Sequence, residues 1–280
     1  MIRMAPRAGV TLIELAVTLV LTAIMVAIAG AALQRVLAVQ SETTRADGRR
    51  TALTDALHTL VRHAASADPA RGDLRSVRDT ALEFMHAIGS ATVCSAEGDT
   101  LVLTGSADSL PWSATIPRAV TDDDALRVWH DGDARWIARR IRTAGAATGA
   151  CGDSSTTWPD RATQRLVLDG PTAGMRPGAM VRVLQRERWS LVRSTDGTWS
   201  LAIATWDEAR TTFAAPQPLL APLAPPSGDG LRIRALDALG TPLADSALPR
   251  TRTLLVALRY APTARRGIIT DSVRIDVGTH

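Results

Sequence analysis

An unbroken apolar run near the N-terminus limits this chain more than any other feature. Between Arg7 and Arg35 the only charged side chain is Glu14, and residues 10–34 contain no proline. About 20 apolar residues suffice to cross a bilayer core of roughly 30 Å as a helix. An ordinary secretory signal has an apolar core of about 7–15 residues followed by a small-residue cleavage site, and this run is longer. Glu14 does not suit a plain anchor. A carboxylate costs up to about 2.5–3.5 kcal/mol at the centre of a spanning helix and less near an end. Such a residue is functional by default and calls for a partner.

The residues at the start of the run carry a resemblance. Gly9-Val10-Thr11-Leu12-Ile13-Glu14-Leu15, after a short leader holding Arg3 and Arg7, resembles the processing signal of type IV prepilins and pseudopilins. The resemblance implies a cut by prepilin peptidase after Gly9 and N-methylation of the new N-terminus, Val10. It also implies that Glu14, matching the family's glutamate at the fifth mature position, serves filament assembly by meeting the terminal amine of a neighbouring subunit. In a low-dielectric filament core an ammonium and a carboxylate stabilise each other, whereas either one alone is costly. The chain departs from the family at one point: the first mature residue is usually Phe or Met, and here it is Val10.

The resemblance divides the chain into a leader (residues 1–9), a transmembrane and filament-core helix (10–34), an amphipathic continuation of that helix (35–66) and an extracytoplasmic α+β globular domain (67–280). It implies a single-pass protein of the bacterial inner membrane, N-terminus in the cytoplasm and globular domain in the periplasm, later drawn into a pilus or pseudopilus. Basic residues alone do not choose this orientation. Arg35, Arg45, Arg49 and Arg50 follow the run, against Arg3, Arg7 and the chain amine before it.

Of 280 residues, 46% are hydrophobic, and the part beyond the anchor is enough for one sizeable domain or two lobes. The formal charge is +4, and removing Arg3 and Arg7 with the leader lowers it to about +2 by the same count. Every basic residue is arginine, which reads as a coding bias and not as a binding function. Cys94 and Cys151 are the only cysteines. Outside the membrane they are either a disulfide or two buried thiols, and neither has zinc-ligand spacing.

Beyond residue 34 the helical pattern continues. No proline occurs before Pro69, and Leu53, Leu57, Leu60, Val61 and Ala64 recur at three- and four-residue steps. Gly30 and Gly48 are points where such a helix bends or breaks, and Asp68-Pro69 reads as its end. The remainder reads as strands near 82–85, 101–103, 125–129, 135–141, 165–168, 180–184, 189–193, 199–205, 231–235, 253–260 and 272–277. Asp131-Gly132, Asp169-Gly170-Pro171 and Asp196-Gly197 are turn signals, and Arg186-Glu187 reads as a further turn. Residues 215–226, with five prolines, read as an extended surface connection whose Leu219, Leu220 and Leu223 want burial. The expected fold class is α+β, a long N-terminal transmembrane α-helix packed on an antiparallel β-sheet globular domain.

Catalytic chemistry finds no recognisable frame. His58 and His63 are five residues apart, on different helical faces, unlike the i, i+4 pair of a zinc-binding helix. His130-Asp131-Gly132 reads as a turn, and no GxSxG elbow occurs. Asp122-Asp123-Asp124 lacks the alternating pattern of a calcium loop and reads as a solvated acidic loop. Arg139, Arg140 and Arg142 read as a solvent-facing strand edge in preference to a nucleic-acid contact. The seven tryptophans read as core and sheet-face packing in preference to a sugar platform. No cofactor, no metal site and no enzymatic activity are expected.

The second half is similar, more faintly, to the J-type minor pseudopilins of type II secretion and the W-type minor pilins. The carrying features are the Arg182–Trp199 stretch, the Pro/Leu segment and Gly230-Leu231-Arg232-Ile233-Arg234-Ala235-Leu236 ahead of a late strand. Glu14 sets the chain apart from the K-type tip component, which usually lacks that residue. The implied function is a minor pilin or pseudopilin of a type II secretion pseudopilus or type IV pilus. Its implied partners are prepilin peptidase, other pilins or pseudopilins, the inner-membrane assembly platform and membrane lipid. The alternative is a binding module on the same anchor, recognising DNA, a surface or a secreted substrate.

Overall fold

The computed structural model describes residues 12–104, 116, 118–147, 151, 162–261 and 269–278. The chain separates into two compact units, Met1–Ala52 and Leu53–His280.

A single helix, α1, runs from Leu12 to Ala64. Ala and Leu dominate it, and it remains helical through both Gly30 and Gly48. Thr18, Thr22, Thr43 and Thr44 turn their hydroxyls back to carbonyls four residues earlier, which hides those polar groups within the helix itself. In the first unit the apolar side chains are exposed all round, Leu12, Ile13 and Met25 among them. The segment has a mean hydropathy of 2.5 over 18 residues and is long and apolar enough to cross a membrane. A helix apolar on every side is one that apolar surroundings must cover.

In the second unit the end of α1 changes character. Leu53, Ala56, Leu57, Leu60 and Ala64 are buried, a stripe at helical spacing. Each fully buried leucine stabilises the contact by about 1.5–3 kcal/mol. Burial begins at Leu53, later than a packed face running from residue 35 would have it; residues 35–45 are all exposed. Past Ala64 the Ser66 hydroxyl bonds the His63 carbonyl, and a short 3₁₀ turn, Pro69–Arg71, starts the sheet region.

Among the described residues thirteen strands follow: β1 Leu74–Arg78, β2 Ala81–Glu97, β3 Thr100–Thr104, β4 Asp124–His130, β5 Arg135–Ala146, β6 Ala162–Leu168, β7 Met180–Arg193, β8 Trp199–Asp207, β9 Thr212–Phe213, β10 Gln217–Leu223, β11 Leu231–Leu236, β12 Thr253–Arg259 and β13 Thr270–Asp276. All their pairings are antiparallel. The long strands β2 and β7 form the spine, pairing from Ala81↔Ser190 to Thr92↔Met180. At one end of this pair the ladder goes from β2 through β3, β6, β5 and β4 back to β7, closing a six-stranded ring. One apolar cluster drawn from all six strands fills it, including Val93, Leu101, Leu126, Ile141, Leu166 and Val181, as a small barrel requires. At the other end β1 flanks β2, β8 flanks β7 and β10 flanks β8, giving an open sheet.

On one face of that open sheet stand Leu82, Phe84, Trp189 and Leu201, all 0–1% exposed. A separate sheet, β11-β12-β13, buries Leu231, Ile233, Leu254, Val256, Leu258 and Ile275. Backbone bonds from Ile233 to Asp79 and from Gly278 to Ala67 tie it to the rest.

Three expectations need correction. Arg186-Glu187 is not a turn but lies within β7, opposite Met85 and Phe84 of β2, because both side chains find partners on opposite faces of the sheet. Residues 215–226 are not merely a connection. Gln217–Leu223 forms β10, the outermost strand beside β8, where prolines are tolerated because one side of the strand has no ladder to serve. Leu220 and Leu223 are buried there, while Leu219 is 43% exposed. Arg139, Arg140 and Arg142 lie on β5, whose first half, to Arg140, pairs with β4 and whose second half, from Ile141, pairs with β6; Arg140 and Arg142 are exposed and Arg139 is half-buried. Finally, Asp124 is not solvated: it is buried and takes a bidentate ion pair from Arg118 at 2.7 and 2.8 Å.

Candidate functional site

Gly9 and Val10 lie outside the described residues, as do Trp112, Trp158 and His280. Glu14 sits in the first turn of α1. Cys94 on β2 and Cys151 form a disulfide, Cα atoms 4.8 Å apart, packed beneath Val102 and Ala147.

The strongest convergence of chemistry-bearing side chains lies where the end of α1 meets the open sheet. Alternation along the strands builds it. Phe84 and Glu187 are directly opposed in the β2–β7 ladder, as are Leu82 and Trp189. His86 follows Phe84 by two positions on the same face of the sheet. His63, in the last turn of α1, comes down onto that face. Its Nδ1 lies 3.0 Å from Glu187 Oε2, and its ring stacks on His86 with centroids 4.3 Å apart and planes within 9°. Trp189 donates its indole N–H to the same Glu187 oxygen at 3.1 Å and meets the His63 ring edge-on. His86 Nδ1 is 3.6 Å from that oxygen, beyond hydrogen-bond reach.

The electrostatics follow from burial. His86 is 6% exposed, and burial pushes its pKa down to about 4 against the opposing pull of Glu187, so the imidazole is neutral near pH 7. Burial pushes the Glu187 carboxyl up, but the His63 hydrogen bond, His86 and the Trp189 indole outweigh it and leave the group below its ordinary value. A buried, ionised carboxylate therefore faces a neutral imidazole.

Sequence reasoning singled out His63 only as half of a pair with His58, and the structure separates the two: His58 is exposed and takes no part in the cluster. It missed His86 and Glu187. The alternation Leu82, Phe84, His86 along one strand was the available signal for the first. Reading residues 186 and 187 as a turn removed the second from the sheet.

The remaining candidates have structural partners. His130 Nδ1 accepts the Asp133 N–H, capping the turn between β4 and β5. Asp123 accepts the Glu208 N–H. Arg139 donates to the Pro171 carbonyl, and Arg140 pairs with Glu208 at 3.3 Å, an exposed contact of little energetic weight. Trp129 and Trp136 meet edge to face across the β4–β5 hairpin, with the Arg182 guanidinium over Trp136. Trp206 and Phe213 are capped by Arg186 and Arg188, both held by Glu83. Comparison with protein-family models, with curated proteins and with solved structures finds no match.

Proposed function

We propose that this chain is a minor pilin or pseudopilin, a structural subunit cut by prepilin peptidase after Gly9 and methylated at Val10. The observation that carries the reading is the Gly9–Leu15 motif placed directly against an apolar run whose single charge is Glu14. On this reading the chain waits in the bacterial inner membrane, N-terminus in the cytoplasm, until an assembly platform draws it into a filament of other pilins or pseudopilins. Packing of the apolar helices and the pairing of Glu14 with a neighbour's amine hold it there. Two features of the fold are in keeping with this role. The exposed apolar surface of α1 ends at Val39, and after a polar stretch the docked stripe begins at Leu53, so on this reading one helix both meets neighbours and carries the domain. A disulfide between Cys94 and Cys151 suits an oxidising compartment outside the cytoplasm. The role is structural and asks for no catalysis by this chain.

The test is mass spectrometry of the protein extracted from membranes of cells with and without an active prepilin peptidase. The expected result is loss of residues 1–9 and gain of one methyl group on Val10, only where the peptidase is active. Retention of the leader in the presence of the peptidase overturns the proposal.

A further inference from the structure

We infer that His63, His86 and Glu187 form a binding site for a divalent transition-metal ion of the zinc class, joining the end of α1 to β2 and β7. Their ligand atoms all lie within 4.8 Å of one another. In a tetrahedral site with bonds of about 2.0–2.1 Å, neighbouring ligand atoms are about 3.3 Å apart. The Glu187 oxygen stands 3.0 Å from His63 Nδ1 and 3.6 Å from His86 Nδ1, on either side of that value.

A second observation points to the same place. His86 Nδ1 is buried and has no hydrogen-bond partner among the described residues, although a buried polar atom without a partner costs about 1–3 kcal/mol. A metal bond satisfies it. The donor set decides the class of ion: two imidazoles with one carboxylate suit zinc and its neighbours, whereas calcium and magnesium take oxygen ligands. Trp189 orients the carboxylate by its indole N–H, the kind of supporting bond that fixes a ligand's direction.

The stacked rings set one condition. Their planes are nearly parallel, so convergence of both Nδ1 lone pairs on one ion requires one ring to turn about its Cβ–Cγ bond. His63, with 28% of its side chain exposed, has the room. The proton on its Nδ1, where that nitrogen donates to Glu187, leaves as the metal binds. Three protein ligands leave a fourth position for water. The site stands independently of the filament reading.

The experiment uses the full-length chain in detergent micelles, stripped by a chelator. Zinc is titrated by calorimetry, and cobalt by visible absorption. The expected result is one saturable site per chain, the intense visible bands of four-coordinate cobalt, and a higher melting temperature with zinc. Glu187→Gln and His86→Gln each weaken zinc binding at least about tenfold, while His58→Gln leaves it unchanged. His63→Gln, at the half-exposed ligand, carries the test if the buried variants fail to fold, because it removes a ligand with little disturbance of the core. Absence of saturable binding, or equal zinc affinity in wild type and His63→Gln, overturns the proposal.

Discussion

Arg127 on β4 lays its guanidinium against the carboxylate of Asp73, with side chains 9% and 2% exposed. Asp73 also accepts the Asp68 N–H at 2.7 Å. The pair thus joins the outside of the closed ring to the 3₁₀ turn that follows α1. Removing one partner of a buried pair leaves the other charged and dry, which costs about 3–5 kcal/mol. Arg127→Met is expected to lower the melting temperature strongly, and adding Asp73→Leu to recover part of the loss. A double variant no more stable than Arg127→Met alone would show that the bond, and not the stranded charge, carries the effect.

The disulfide encloses a long loop, with a sequence separation of 57. The chain-entropy account gives about 4 kcal/mol for such a loop. Cys94→Ser with Cys151→Ser, or reduction of the wild type, is expected to lower stability by that order in a denaturation series. Equal midpoints for oxidised and reduced protein would contradict this.

Gly230 follows the 3₁₀ turn after β10. A Cβ there would stand 1.7 Å from the Ala224 carbonyl oxygen, and that obstacle is backbone, held by the Ala224–Arg259 hydrogen bond. Gly230→Ala is expected to loosen the approach of β12 to β10, exposing the amides of Ala224 and Arg259 to faster hydrogen exchange. Unchanged protection at both amides would count against the assigned close approach.

Glu14→Ala tests the assembly role. It removes a charge from the apolar run, so membrane insertion and leader removal are expected to continue while incorporation into filaments stops. Fractionation and filament immunoblots measure both. Normal incorporation would rule out the pairing with a neighbour's amine.

The sequence displayed what is local and concealed what is not. The Asp131-Gly132 and Asp196-Gly197 turns sit where expected, because a hairpin is written in the few residues that make it. The helical stripe from Leu53 to Ala64 was equally visible. Closure of the ring was not, since β3 pairs with β6 and β2 with β7 across long stretches of chain, and no spacing reports such partners. Arg186 and Glu187 misled because adjacent charges resemble a turn. They sit in a strand whose two faces differ: Arg186 lies over Trp206 on one side, and Glu187 meets His63 on the other. The candidate site failed to appear for the same reason. Its three members come from one helix and two strands, joined by the pairing of β2 with β7 and by the docking of the end of α1 on that face.

Ring closure also governs how copies of this domain behave when crowded. Open sheet rims recruit further strands and seed runaway stacking, a hazard for any protein held at high local density on one surface. Here six strands present no rim, Pro218 and Pro222 spoil β10 as a template, and Asp271, Arg274 and Asp276 place charge along β13. With lateral β-recruitment discouraged, copies of the domain keep their strands to themselves even when packed closely.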